Sequence, residues 1–249
     1  MQENNIMIID AKGLESKALN KLIYDSNDTN INIKNALGQR YIASGSSDLN
    51  VNIYGVPGNA LGAYLNGSRI EVYGNSSDAL GDTMNDGLIV IHGNGGDTCG
   101  YSMRGGKIFV KGDVGYRCGI HMKAYMDKFP LIIVGGSAGN FLGEYQAGGI
   151  IVVLGLNGST YDGKRLVGDF TATGMYGGKL FIRGKADRED FPASVDVNPA
   201  TSEDLAEISE YLEEYTSVFR LNYKEIMKTE FTVITPNHEK KPKASYVGN

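Results

Sequence analysis

Between residues 51 and 184 apolar and polar positions alternate in short runs, and each run is closed by a glycine. Counting back from Gly55, Gly74, Gly93, Gly112, Gly136, Gly155 and Gly184, the residues four and two positions earlier are always Val, Ile or Leu. They form the pairs Val51/Ile53, Ile70/Val72, Ile89/Ile91, Ile108/Val110, Ile132/Val134, Ile151/Val153 and Leu180/Ile182. Period-two alternation predicts strands with one face buried, and β-branched residues suit pleated backbone better than a helix. The closing glycines lie 19, 19, 19, 24, 19 and 29 residues apart. A spacing held that closely is a structural repeat.

Seven residues after five of these glycines stands another, at Gly62, Gly81, Gly100, Gly119 and Gly143. Leu61, Leu80, Cys99, Cys118 and Leu142 precede these, and Leu65, Met84, Met103, Met122 and Gln146 follow three residues later. Each repeat therefore reads as strand, corner, second apolar stretch, corner. One coil has too little apolar surface to fold alone, whereas coils stacked with strands about 4.8 Å apart bury a continuous column. The prediction is an all-β core formed by a single-stranded parallel β-helix of seven coils, right-handed as parallel crossovers are. The recurrent glycines are expected to supply left-handed backbone at the corners. The two longer spacings place insertions at 123–130 and 156–174, which should bulge from corners without breaking the stack.

The flanks do not follow the spacing. Residues 1–48 read as a small α/β cap: a strand at 6–9, a helix at 13–24 with Leu14, Ala18, Leu22 and Leu19 inward, then strands at 31–34 and 37–42. Residues 49–184 are the β-helix, and 185–249 a helical segment with a polar, frayed tail from Glu239. In that segment Thr201-Ser-Glu-Asp opens a helix that aligns Leu205, Ile208, Leu212, Tyr215 and Phe219. A shorter helix at 223–228 and a strand at 231–235 follow. The outward strand positions are polar in the first two coils and become apolar from the third, with Leu88, Val90, Phe109, Leu131, Ile133, Ile150 and Val152. Parallel strands apolar on both faces are covered on both. These residues form a candidate interface, to be covered first by the amphipathic helix, with a partner subunit or a second copy of the chain as the alternative.

Composition adds exclusions. Glycine is plentiful, 34 of 249 residues, about twice the usual share, as a fold made of corners requires. A net charge of −5 without a basic run gives no sign of nucleic acid. With no apolar run near the length of a membrane helix and no signal peptide at Met1-Gln-Glu, the expectation is a cytoplasmic protein without a membrane contact. Cys99 and Cys118 occupy equal positions on neighbouring coils, close enough for a disulfide, yet read as stacked core thiols because Leu fills that position elsewhere. His92 and His121 read as solvated side chains, and three histidines with two cysteines assemble neither a catalytic triad nor a metal site. The glycine-rich stretches 93–97 and 135–139 lack the helix that a phosphate loop needs. Among the corner acids Asp78, Asp82, Asp86, Asp97 and Asp113, only Asp78 and Asp97 share a repeat position, which leaves an independent carbohydrate-active β-helix as a minor alternative. No catalytic, cofactor-binding or metal-binding residue is expected.

Val56-Pro-Gly-Asn-Ala-Leu-Gly, Met84-Asn-Asp-Gly, Val114-Gly-Tyr-Arg-Cys-Gly-Ile-His-Met-Lys and Gly174-Met-Tyr-Gly-Gly resemble the GXGXG domain of glutamate synthase. The likeness extends from Gly38-Gln-Arg-Tyr-Ile to Phe231-Thr-Val-Ile-Thr-Pro, with Tyr176 standing where many relatives carry histidine. It is nearest to the stand-alone subunit of archaeal-type glutamate synthases. The β-helical subunit of formylmethanofuran dehydrogenase shares the repeat and is the alternative. The resemblance implies a non-catalytic spacer in glutamate biosynthesis and nitrogen metabolism, part of an oxidoreductase complex with no cofactor of its own. Its implied partners are a glutamine amidotransferase subunit and an FMN/iron–sulfur synthase subunit. An amidotransferase of that class needs an N-terminal cysteine nucleophile, and residue 2 is Gln.

Overall fold

The computed structural model describes residues 6–240; the reading of the residues at Met1 and that of the tail beyond residue 240 lie outside the described residues. Among the described residues nine strands run parallel in chain order: β1 (Ile6–Asp10), β2 (Asn30–Leu37), β3 (Asn50–Val56), β4 (Asn66–Tyr73), β5 (Asp86–Ile91), β6 (Gly106–Val110), β7 (Pro130–Val134), β8 (Ala147–Val153) and β9 (Gly177–Arg183). Each pairs with its neighbours in sequence. From β3 onward the register places equal repeat positions side by side: Val51 beside Ile70, Ile70 beside Ile89, Ile108 beside Ile132, Ile151 beside Leu180. All of these side chains are fully buried. The protein is thus a parallel β-helix with one coil per strand from β3 to β9. The insertions leave the ladder intact: Ile108 still faces Ile132 across the first and Ile151 still faces Leu180 across the second.

Each corner contains alternate left-handed residues, as at Ala79, Gly81 and Thr83 with φ of 57°, 65° and 52°. The middle glycine has a packing role as well as a conformational one, because a Cβ at Gly81 would stand 2.5 Å from Ile108 Cδ1. The expectation that closing glycines supply left-handed backbone fails at Gly74, Gly93, Gly112 and Gly136, which are absent from the positive-φ residues. They are glycine for lack of room: a Cβ on Gly74 would meet the Gly55 carbonyl oxygen at 2.4 Å.

The coil geometry begins earlier than the spacing indicates. Ile31 and Ile33 of β2 align with Val51 and Ile53, and the predicted strand 37–42 is instead a corner with Tyr41, Ala43 and Gly45 left-handed. A register shift between Ile33 and Ala36, with Ala36 beside Gly55, hid this coil. Helix α1 (Ser16–Asp25) joins β1 to β2 and seals the corner stack, with Asn20 Nδ2 donating to the Arg40 carbonyl at 3.0 Å and Tyr24 Oη donating to the Ser44 carbonyl. Its buried residues are Leu19 and Ile23, while Ala18 and Leu22 are exposed, so the helix is rotated by about one residue from the predicted face. At the other end β9 pairs antiparallel with β11 (Phe231–Pro236), which pairs antiparallel with β10 (Val195–Pro199), a strand the sequence reading missed. Between these lie α2 (Ser202–Phe219), opened by a capping box of Thr201 and Asp204, and the short α3 (Tyr223–Met227).

The core divides in two. The inward column fills the solenoid, and a second cluster lies between the outer sheet face and α2.

Candidate functional site

The repeat is stitched by side chains that follow or neighbour its glycines. Asn75 Oδ1 accepts from Asn94 N at 2.9 Å, Asn94 Oδ1 from Asp113 N at 3.0 Å, Asp78 Oδ1 from Asp97 N at 3.0 Å and Asp97 Oδ1 from Tyr116 N at 2.8 Å. Each carboxamide or carboxylate lies over a glycine of the next coil: Cβ atoms on Gly93, Gly112 and Gly115 would stand 2.2, 2.0 and 2.0 Å from Asn75, Asn94 and Asp97 Oδ1. Glycine and Asx are therefore one device, with the missing Cβ giving room to a bond that satisfies a corner N–H. Asp78 and Asp97 stack as equal positions, and a backbone N–H group of the next coil meets one oxygen of each. Asp113 accepts from Ser137 N at 2.7 Å, from Ser137 Oγ at 2.9 Å and from Ser159 Oγ. Burial opposes its charge, but these donors outweigh that and hold the carboxyl below the ordinary range.

Cys99 and Cys118 are free thiols buried in the inward column. The hydrogen bond between them and burial push the Cys99 thiol well up, the opposite of an activated thiolate. Met84, Met103 and Met122 are fully buried in the same column.

Val90, Phe109, Leu131, Ile133, Ile150 and Val152 are enclosed by α2 through Ile208, Leu212, Tyr215 and Phe219, with Leu88 half-buried at the margin. The chain's own helix covers this face, the first of the covers that the sequence suggests, ahead of a partner subunit or a second copy. Gly135 belongs to this contact: Tyr215 Oη donates to the Val110 carbonyl at 3.1 Å and stands 2.3 Å from where a Gly135 Cβ would lie.

His92 is only partly solvated. It stacks on Tyr73 at 4.8 Å, Tyr73 stacks on Tyr54 at 4.8 Å, and its other side meets the edge of Phe219 at 5.3 Å. His92 Nε2 lies 2.7 Å from Glu71 Oε1, and Arg69 Nη2 lies 2.7 Å from Glu71 Oε2. His121 is exposed, as expected, but belongs to an aromatic corner: its ring is parallel to Tyr145 at 5.2 Å and edge-on to Tyr101 at 5.9 Å. Earlier in the same corners, Arg117 sits 4.8 Å over the Phe141 ring, which stacks on Phe170 at 4.9 Å. Tyr101, Tyr116, Tyr145 and Phe170 are all exposed. The sequence reading missed this surface, although its signal is visible in residues two before and two after the corner glycines Gly119 and Gly143. Stacked rings with a cation are what protein interfaces concentrate.

Among the described residues no group of three or more His, Cys, Asp and Glu is placed to hold a metal ion, and no helix is long and apolar enough to cross a membrane. The geometry offers a regularly stitched solenoid with an exposed aromatic corner at His121 and Tyr145.

Comparison with known proteins places the chain by family and by fold. An uncharacterised protein of Methanocaldococcus jannaschii is 45% identical over 240 residues, covering 92% of each chain. A chain in the crystal structure of the formyltransferase/hydrolase complex from Methylorubrum extorquens, in complex with methylofuran, superimposes with a TM-score of 0.66 at 15% identity, covering 94% of this chain and 95% of that one. At that identity the likeness is one of fold. The GXGXG motif family matches residues 21–240, almost the whole described solenoid and its C-terminal closure, and the chain belongs to that family.

Proposed function

We propose that this chain is a non-catalytic β-helix scaffold subunit of a multi-subunit enzyme in the cytoplasm. The observation that carries the reading is the end-to-end likeness to a chain of the formyltransferase/hydrolase complex. A rod whose interior is filled by side chains has only its surface to offer, and the aromatic corner of Arg117, His121, Phe141, Tyr145 and Phe170 is the surface we assign to partners. The family resemblance names those partners as a glutamine amidotransferase subunit and an FMN/iron–sulfur synthase subunit of a glutamate synthase. A second reading, the corresponding subunit of a formylmethanofuran-type complex, is favoured by the same structural likeness.

Purification of the chain from its native cell under gentle conditions tests the proposal. Co-purifying amidotransferase and flavin/iron–sulfur subunits support the first reading, and formyl-transfer enzymes the second. A chain that elutes alone overturns the scaffold role, as would a bound flavin or glutaminase turnover in the isolated chain. The double variant Tyr145→Ala/Phe170→Ala should fold as the parent does, since both rings are exposed, and should lose its partners.

A further inference from the structure

The longest insertion builds a cleft that the solenoid does not need. Residues of its outer part, Asp162, Lys164, Arg165, Leu166 and Val167, face the segment just after β9, and the space between them measures about 340 Å³. Its apolar wall includes Leu166, Ile182, Ala186 and Phe191, and four cations line it: Lys164, Arg165, Arg183 and Lys185. Three acids, Asp162, Asp187 and Asp190, share the lining, so basic groups are in excess there although the chain as a whole carries −5.

The cations differ in how they are engaged. Arg183 is held in place, with Nε donating to the Ile226 carbonyl at 3.0 Å and Nη2 to Thr229 Oγ1 at 2.7 Å. Arg165 is oriented from behind, Nε on Asp162 Oδ2 at 2.8 Å and Nη1 on Asp169 Oδ1 at 3.0 Å. Across the cleft Nη1 also forms an ion pair with Asp190 Oδ1 at 3.6 Å, while Nη2 makes no hydrogen bond among the described residues. Lys164 and Lys185 have no ion-pair partner among the described residues. An oriented guanidinium with an unused Nη2, two ammonium groups without ion pairs among the described residues and an apolar wall form a donor set that recognises an anionic head on an apolar body.

We propose that this cleft binds a small organic anion, its carboxylate or phosphate received by Arg165, Lys164 and Lys185 and its apolar body lying against Leu166, Ile182 and Phe191. The site is independent of the scaffold reading and of any partner.

Titration calorimetry of the full chain with phenyl phosphate, benzoate and inorganic phosphate tests this. At least one aryl anion should bind saturably, and inorganic phosphate about tenfold more weakly or not at all, since it lacks the apolar body. The Lys164→Ala/Lys185→Ala variant removes exposed side chains and should retain the parent melting temperature while binding the aryl anion about tenfold or more weakly. Arg165→Lys, which keeps the charge and loses the planar fork, should also weaken binding. Failure of both aryl anions to saturate overturns the site. So do equal affinity for inorganic phosphate and unchanged affinity in the lysine variant.

Discussion

At the scale of single residues the solenoid depends on pairs in which one side chain fills the space another lacks. Asn94 and Gly112 are the clearest pair: the amide oxygen accepts from Asp113 N at 3.0 Å and lies 2.0 Å from the position of a Gly112 Cβ. Gly112→Ala should therefore destabilise by about 1–3 kcal/mol, as a steric conflict at a half-buried position. Asn94→Ala should cost about 1 kcal/mol for the lost bond. The double variant should cost less than the sum, because the amide the new methyl strikes is gone. Denaturant titrations of the three proteins measure the cycle, and strict additivity would contradict the coupling. Glu71 supplies a pH dependence. Burial raises its carboxyl, but hydrogen bonds from His92 and Arg69 outweigh that and hold it below the usual range. A depressed folded value means the unfolded chain binds more protons in that interval, so the stabilisation is present at neutral pH and lost as pH falls through the folded value. The melting-temperature advantage of the parent over Glu71→Gln should accordingly shrink below about pH 4.

At the scale of elements, α2 is a splint across the sheet. Its first turns engage β9, where Lys179 Nζ meets Asp204 at 2.8 Å and Glu207 at 2.6 Å. Farther along, Lys107 meets Glu214 at 2.5 Å and Tyr215 reaches Val110, both in β6. The helix ends with Phe219 against His92, just past β5. Eighteen residues give about 27 Å of helix, more than the roughly 19 Å spanned by five adjacent strands. Leu212 is fully buried in this contact, so Leu212→Ala should cost about 2–5 kcal/mol, read by chemical denaturation. A loss below about 1 kcal/mol would mean the helix is not held by that face.

At the scale of the whole molecule, stacked coils alone would unfold as a linear array, each stabilised only by its neighbours. The splint ties β5 through β9 together, and β11 closes the last strand edge by pairing with β9. Deleting residues 200–249 removes both and exposes Val90, Phe109, Ile133 and Val152. The truncated chain should bind hydrophobic dye or aggregate. A soluble, monomeric and equally stable product would show that the cover is dispensable.

The repeat itself was legible in the sequence because one coil obeys local rules repeated at a fixed spacing. Period-two burial of Val51/Ile53 and its successors, a glycine after each strand and an apolar residue before each corner leave few other ways to bury the apolar positions. The amphipathic face of α2 was legible for the same reason, as was the burial of Cys99 and Cys118 in a column of leucines. Tertiary structure alone decided what depends on the next coil or on distant chain. Gly93 and Gly112 need no special φ and are required by side chains of the coil before them. The coil at β2 was hidden by a single register shift at Ala36. β10 was invisible because Val195–Pro199 carries little pattern and is a strand only by pairing with β11. The aromatic corner could have been read from the equal offsets of Arg117, His121, Phe141 and Tyr145 about Gly119 and Gly143. The Arg165 cleft could not, because the insertion meets the segment after β9 only through the stacking of coils, which no local spacing encodes.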